Sequence, residues 1–245
     1  MKKLSLFLSS IFIYAINAYA QKDTICHYYD NNWDVCAKDT AVFYEKFFKD
    51  NRLWHRKDYY AKTNQLQMDG YSLDDNWKTK HDTCKYFFEN GNIKIIQYYE
   101  AGNAIAFTYF YKNGKKKGRT MFDDIGKPSA YKGWFEDGQP MPDSLLKTDP
   151  VFPGGKQKWE EFLQSQINKN RGKINNKSGK LLVEFLVDKD GNISKVKIAR
   201  SSNDPYVDIL AMDIVKSSPK WIPAILFGEN VTFWVRQEIN IKTQL

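Results

Sequence analysis

The sequence predicts an α+β protein: an N-terminal antiparallel β-repeat built of hairpins, then a C-terminal domain with two helices packed on a three-stranded antiparallel sheet. Three observations predict it. Between residues 86 and 138 an aromatic cluster followed by a glycine turn recurs five times, the glycines stepping by 11, 12, 12 and 12 residues. Between residues 151 and 241 the apolar periodicity switches between helical and alternating in the order helix, strand, strand, helix, strand. A chain of 245 residues, 42% hydrophobic and 16% aromatic, is large enough for two modest cores.

Residues 1–20 read as an export segment. Lys2 and Lys3 form a basic start, an apolar stretch with three serines follows, and Ala18-Tyr19-Ala20 is an A-x-A cleavage site before Gln21. The rival reading is a retained inner-membrane anchor, because residues 4–20 carry no charge and about 17 residues is the shortest helical span of a bilayer. Residues 21–58 are polar with isolated aromatics and are expected to form a poorly ordered or mixed lead-in. The repeat domain is placed at 59–140, with a degraded first copy near Tyr59 and Gly70. Asn-Gly and Asp-Gly pairs favour tight hairpin turns, so each copy reads as a strand, a turn and a return strand. The copies Tyr98-Tyr99-Glu100-Ala101-Gly102 and Tyr109-Phe110-Tyr111-Lys112-Asn113-Gly114 are representative. In this form they resemble the MORN-repeat variant of secreted bacterial proteins, and that resemblance implies an elongated sheet acting as a spacer or docking platform. At two strands per copy, five copies would extend about 50 Å.

Residues 141–150 hold two prolines, Pro142 and Pro150, and are expected to be a short, semi-rigid linker. The C-terminal domain, 151–245, opens with Pro153 and Gly154-Gly155, a turn that starts a helix whose apolar face is Trp159, Phe162, Leu163 and Ile167. Leu181, Val183, Phe185 and Val187 then share one side of a strand, and Asp190-Gly191 turns the chain into a return strand that buries Val196 and Ile198. Ser202, Asn203 or Asp204 caps the second helix, Pro205 suits its first turn, and Val207, Leu210, Ala211, Ile214 and Val215 form its inner face until it stops near Ser217. Trp221, held between Pro219 and Pro223, is read as a core residue. The last strand alternates, with Val231, Phe233, Val235 and Ile239 inward and Thr232, Trp234, Arg236 and Glu238 outward.

These pieces in this order resemble the TonB C-terminal domain over about ninety residues. The resemblance implies a periplasmic domain of Gram-negative cells that grips a short extended segment of an outer-membrane TonB-dependent transporter and passes on energy from a proton-driven inner-membrane motor. Its physical counterpart is an open sheet edge, whose unpaired N–H and C=O groups accept an added strand. The candidate partner-binding edge is Val231, Thr232, Phe233, Trp234, Val235, Arg236, Gln237 and Glu238. Transducers of that family keep an N-terminal anchor and a proline-rich spacer, whereas here the eight prolines are scattered from Pro128 to Pro223. Two readings follow: an energy transducer if residues 4–20 are retained, with motor proteins as further partners, or a soluble periplasmic interaction protein if the chain is cleaved after Ala20.

The formal charge is +8, and removal of Lys2 and Lys3 with the export segment leaves +6. Export argues against a nucleic-acid partner, and the run Lys115-Lys116-Lys117 falls on a turn. Of the three cysteines, Cys26 and Cys36 are the nearest pair in sequence. One disulfide and one spare thiol is the simple outcome in an oxidising compartment, although spacing alone does not fix the pairing. No C-x-x-C, H-E-x-x-H, Walker or G-x-G-x-x-G pattern and no serine or cysteine elbow is present, so neither a metal, a cofactor nor an enzyme activity is expected.

Overall fold

The structure, a computed structural model, describes residues 25–170, 172 and 177–242. The expected export segment 1–20 lies outside them, as does the side chain of Cys26, so neither cleavage after Ala20 nor the Cys26–Cys36 pairing falls within what is described. Among the described residues no helix is long and apolar enough to cross a membrane.

Among the described residues the N-terminal half is one nine-stranded antiparallel sheet whose strand order follows the chain. Its strands are β1 (Ile25–Tyr29), β2 (Phe43–Asp50), β3 (Leu53–Tyr60), β4 (Leu66–Ser72), β5 (Lys80–Phe87), β6 (Ile93–Glu100), β7 (Asn103–Phe110), β8 (Lys116–Phe122) and β9 (Pro128–Gly133). The repeat glycines make its turns. Gly91, Gly114, Gly126 and Gly138 all sit at positive φ and each donates its N–H, at 2.9 Å, to the carbonyl three residues back. Tyrosines tie alternate strands together: the Tyr60 hydroxyl reaches the Phe87 carbonyl at 3.1 Å, and Tyr111 reaches Trp134 at 2.9 Å. Ring pairs such as Tyr44 with Tyr59 and Phe47 with Trp54 stack across neighbouring strands.

Each repeat copy supplies one strand and one turn, because a 12-residue period is filled by a strand of six to eight residues and its loop. Eight spacings between nine strands therefore give a sheet about 38 Å wide, and five copies extend about half the expected 50 Å. The sheet also begins well before residue 59: the supposed lead-in, 21–58, holds β1, β2 and most of β3. Alternation is hard to read there because charged or polar side chains are buried on both faces, Glu45 and Asp58 on one and His55 on the other.

The expected linker is structured. α1 (Asp143–Leu146) and β10 (Lys147–Thr148) lead into α2 (Gly155–Lys169), β11 (Gly179–Val187), β12 (Ile193–Arg200), α3 (Pro205–Lys216), β13 (Ala224–Leu226), β14 (Glu229–Val231) and β15 (Phe233–Ile241). The main sheet of this half has the order β12-β11-β15 and is antiparallel throughout. Leu181, Val183, Phe185 and Val187 are fully buried and pack with Trp159 and Ile167 of α2 and with Val207, Leu210, Ala211, Ile214 and Val215 of α3. Trp221 joins this core at 6% exposure, meeting Phe152, Trp159 and Phe185 edge-on. Asp204 proves to be the cap of α3, its carboxylate accepting the Tyr206 N–H at 2.9 Å ahead of Pro205 in the first turn.

A second small sheet, β10-β13-β14, clamps the two halves together. Its β13–β14 turn is Phe227-Gly228, with φ of 49° and 76°, and so drives a bulky residue into the left-handed region. The Phe227 ring, 2% exposed, lies over Gly118 and Gly133 of the nine-stranded sheet between Tyr109 and Tyr131. A Cβ on Gly118 would stand 2.5 Å from that ring, so the glycine is what admits the plug. Lys117 pairs with Glu229 beside it.

Candidate functional site

Among the described residues β15 is paired on one side, by β11, in a register running from Gly179 opposite Ile241 to Val187 opposite Phe233, and forms an edge of its sheet. Antiparallel geometry turns the N–H and C=O groups of alternate residues away from the paired neighbour, so β15 presents a row of main-chain donors and acceptors. The inward residues hold it in place: Ile239 and Ile241 are fully buried, and Val235 packs against the core.

The eight predicted edge residues are not all brought together. Val231 ends β14, in a different sheet, and Thr232 lies between the two strands. The continuous alternation expected through Val231, Thr232 and Phe233 is thus broken, because the chain leaves the clamp and enters the main sheet at this point. Phe233, expected inward, is 38% exposed at the start of β15, with the Lys147 ammonium 5.7 Å from its ring centroid. It lines a small apolar cavity of about 170 Å³ at the junction, facing Phe107, Phe122 and Tyr131 of the repeat sheet. Trp234, Val235, Arg236, Gln237 and Glu238 do share the edge strand.

The outer face of β15 carries an ordered set of charges. Arg236 Nε donates to Glu184 Oε1 at 3.1 Å, and Lys197 Nζ approaches Glu184 Oε2 at 3.0 Å, so one carboxylate links all three strands. Glu238 accepts from Lys180 at 2.8 Å and from Arg200 at 3.1 Å. Lys197 also lies 4.8 Å from the ring centroid of Trp234. The hydrogen bond from Lys197, and then that from Arg236, hold Glu184 below the usual carboxylate range; Lys180 and then Arg200 do the same for Glu238. All of these groups except the largely covered Glu184 are exposed, so the pairs fix side-chain direction more than they add stability. Glu184, Lys180 and Arg200 were not singled out from the sequence. Their alternation with apolar residues in β11 and β12 is the signal that could have found them.

A two-helix, three-stranded antiparallel domain with an open edge belongs to the class of folds able to bind an extended chain by adding a strand. Residues 170–242 match the family described as Gram-negative bacterial TonB protein C-terminal. No curated protein matches the chain. Among solved structures, that of accessory secretory protein 1, 2 and 3 in Streptococcus pneumoniae aligns with 42% of this chain at 15% identity and a TM-score of 0.27. The chain spans 19% of the length of that one, and at this TM-score the likeness carries no argument.

Proposed function

We propose that this is a TonB-type protein of the Gram-negative cell envelope, working in the periplasm, whose C-terminal domain binds an extended segment of an outer-membrane transporter along β15. The observation that carries the reading is the open edge of β15 within the stretch that matches the family. Main-chain hydrogen bonds supply affinity, while Trp234, Arg236 and Glu238, held by Lys197, Glu184, Lys180 and Arg200, select the side chains of the incoming strand.

A second reading, an interaction protein that binds without transmitting force, is favoured by the clamp. Phe227 seats the C-terminal domain directly on the repeat sheet, and residues 141–150 are folded into it, which gives the domain no long tether. The repeat sheet then serves as a rigid platform.

The experiment is a binding titration of the full chain with a synthetic peptide carrying the extended segment of an outer-membrane TonB-dependent transporter. Trp234→Pro and Val235→Pro are the test variants: adjacent residues alternate in direction, so one of them removes an outward donor. Binding lost in one variant that still melts cooperatively supports strand addition on β15. Equal affinity in both variants contradicts it.

A further inference from the structure

The far end of the molecule from β15's domain holds a cavity that the strand-binding reading does not use. It lies over β1, β2 and β3 and the loop after β4, has a volume of about 380 Å³, and is walled by Tyr29, Phe47, Trp54 and Trp77. That volume is at the lower end of the ~300–1,000 Å³ typical of small-ligand sites.

Arg56 is built into its floor. Its Nε lies 2.8 Å from Asp58 Oδ1 and 3.1 Å from Glu45 Oε2, and both carboxylates are buried. The guanidinium is flanked by two rings, 5.9 Å from the Tyr29 centroid and 6.0 Å from Trp77. Glu45 is closed on its other oxygen by His27. Among the described residues, the two terminal nitrogens of Arg56 have no protein partner, although the side chain is only 19% exposed. A planar pair of donors is therefore fixed against an aromatic wall with nothing to receive it.

Trp77 is placed with care. It sits at φ of 59°, in the left-handed region, where a bulky residue is a rare outlier. The loop that imposes this is strapped by Asp74, whose carboxylate accepts the N–H of Lys78 at 2.8 Å and of Thr79 at 2.7 Å. Asn76 is held from the same loop by its Oδ1, which accepts from Lys78 at 3.2 Å and leaves its amide N–H groups free to the cavity. Asp75 supplies an acceptor at the rim, with no hydrogen bond or ion pair to another described residue.

The charges decide the ligand class. A cation would need an unpaired buried carboxylate, but Glu45 and Asp58 are already taken by Arg56 and His27. An anion would meet Glu45 and Asp75 on the lining beside a single guanidinium that is already paired with Asp58. A neutral ligand remains, one with groups that both donate and accept and with an apolar face to lie on rings. Saccharide hydroxyls have that chemistry.

We propose that this cavity is a saccharide-binding site that takes one sugar residue of a neutral glycan, with the terminal nitrogens of Arg56, Asn76 and Asp75 holding its oxygens and Trp77 covering its ring. The site is separate from β15, so its failure leaves the strand-addition reading untouched, and the reverse holds as well.

The test is calorimetry and tryptophan fluorescence on the full chain with chitobiose and cellobiose as neutral probes, and n-butylammonium and acetate as the cationic and anionic ones. The expected result is saturable binding of at least one disaccharide, weakened about tenfold in Trp77→Ala, an effect of the size expected for loss of one ring contact. Asp75→Asn and Asn76→Ala are expected to weaken it less, and Ile125→Ala, at a distant turn, to leave it unchanged. If Trp77→Ala fails to fold, amide shift mapping on the unmodified protein replaces it, with changes expected at residues 27–29, 54–56 and 74–79. Absence of saturable binding by both disaccharides overturns the proposal. So does preference for n-butylammonium or acetate, or undiminished binding by a folded Trp77→Ala variant.

Discussion

Gly191 shows how much rests on single positions. It sits at φ of 82° in the β11–β12 turn, and a Cβ there would come within 2.1 Å of the Trp221 carbonyl oxygen, while its own carbonyl accepts the Trp221 N–H at 2.9 Å. Gly191→Ala is expected to cost about 2–4 kcal/mol, since it combines backbone strain with a main-chain clash beside the core; urea unfolding measures it. The turn was legible from Asp190-Gly191, but its contact with Trp221 was not, because that contact joins segments thirty residues apart. Asp58 gives a pH-dependent case. Burial pushes its carboxyl up to about 6, against the lowering effect of Arg56. A group with a raised folded pKa binds its proton more tightly in the native state, so its contribution is fully present below the ordinary value of 3.8 and is lost as pH rises through about 6. Relative to Asp58→Asn, the unmodified protein is expected to lose stability across that window, and denaturant midpoints at a series of pH values check it. A constant difference would contradict the assignment.

Among the elements, α3 was the most fully legible. Its apolar face, its proline and its stop near Ser217 all follow from side-chain pattern, and the structure selects Asp204 from the three candidate caps. Asp204→Ala is expected to cost about 1 kcal/mol, with lost helicity seen first in the initial turn by amide exchange. β11 was equally legible because strict alternation leaves little choice of face. The region from 224 to 241 was not. Apolar and polar residues alternate straight through Thr232, yet the chain changes sheets there, and the β13–β14 hairpin depends on Phe227 at positive φ, a conformation that no propensity assigns to phenylalanine. The strands β1 to β3 were obscured for a related reason: polar residues are buried on both faces, Glu45 and Asp58 on one and His55 on the other, tolerated there because Arg56 and Asp69 pair with them.

At the scale of the whole molecule, the repeat sheet and the C-terminal domain are joined through Phe227, Leu146 and Met141 packed over Gly118 and Gly133. Phe227→Ala removes the plug and is expected to cost about 3–5 kcal/mol, separating one calorimetric transition into two. Such a separation would show that the domains dock through this ring. A single unshifted transition would show that they do not. The sequence pattern separated the two halves but gave no sign that they are clamped, since the plug and its glycine seat lie more than ninety residues apart. With that clamp in place, β15 stands as an edge strand on a rigid body, and its open side is the central claim. The most direct test is amide hydrogen exchange across the full chain, with and without the transporter-segment peptide. The account predicts new protection at alternate amides of β15, with β12 and the outer surfaces of α2 and α3 unchanged. Protection at β12 or the helices, with β15 exchanging as before, would contradict it.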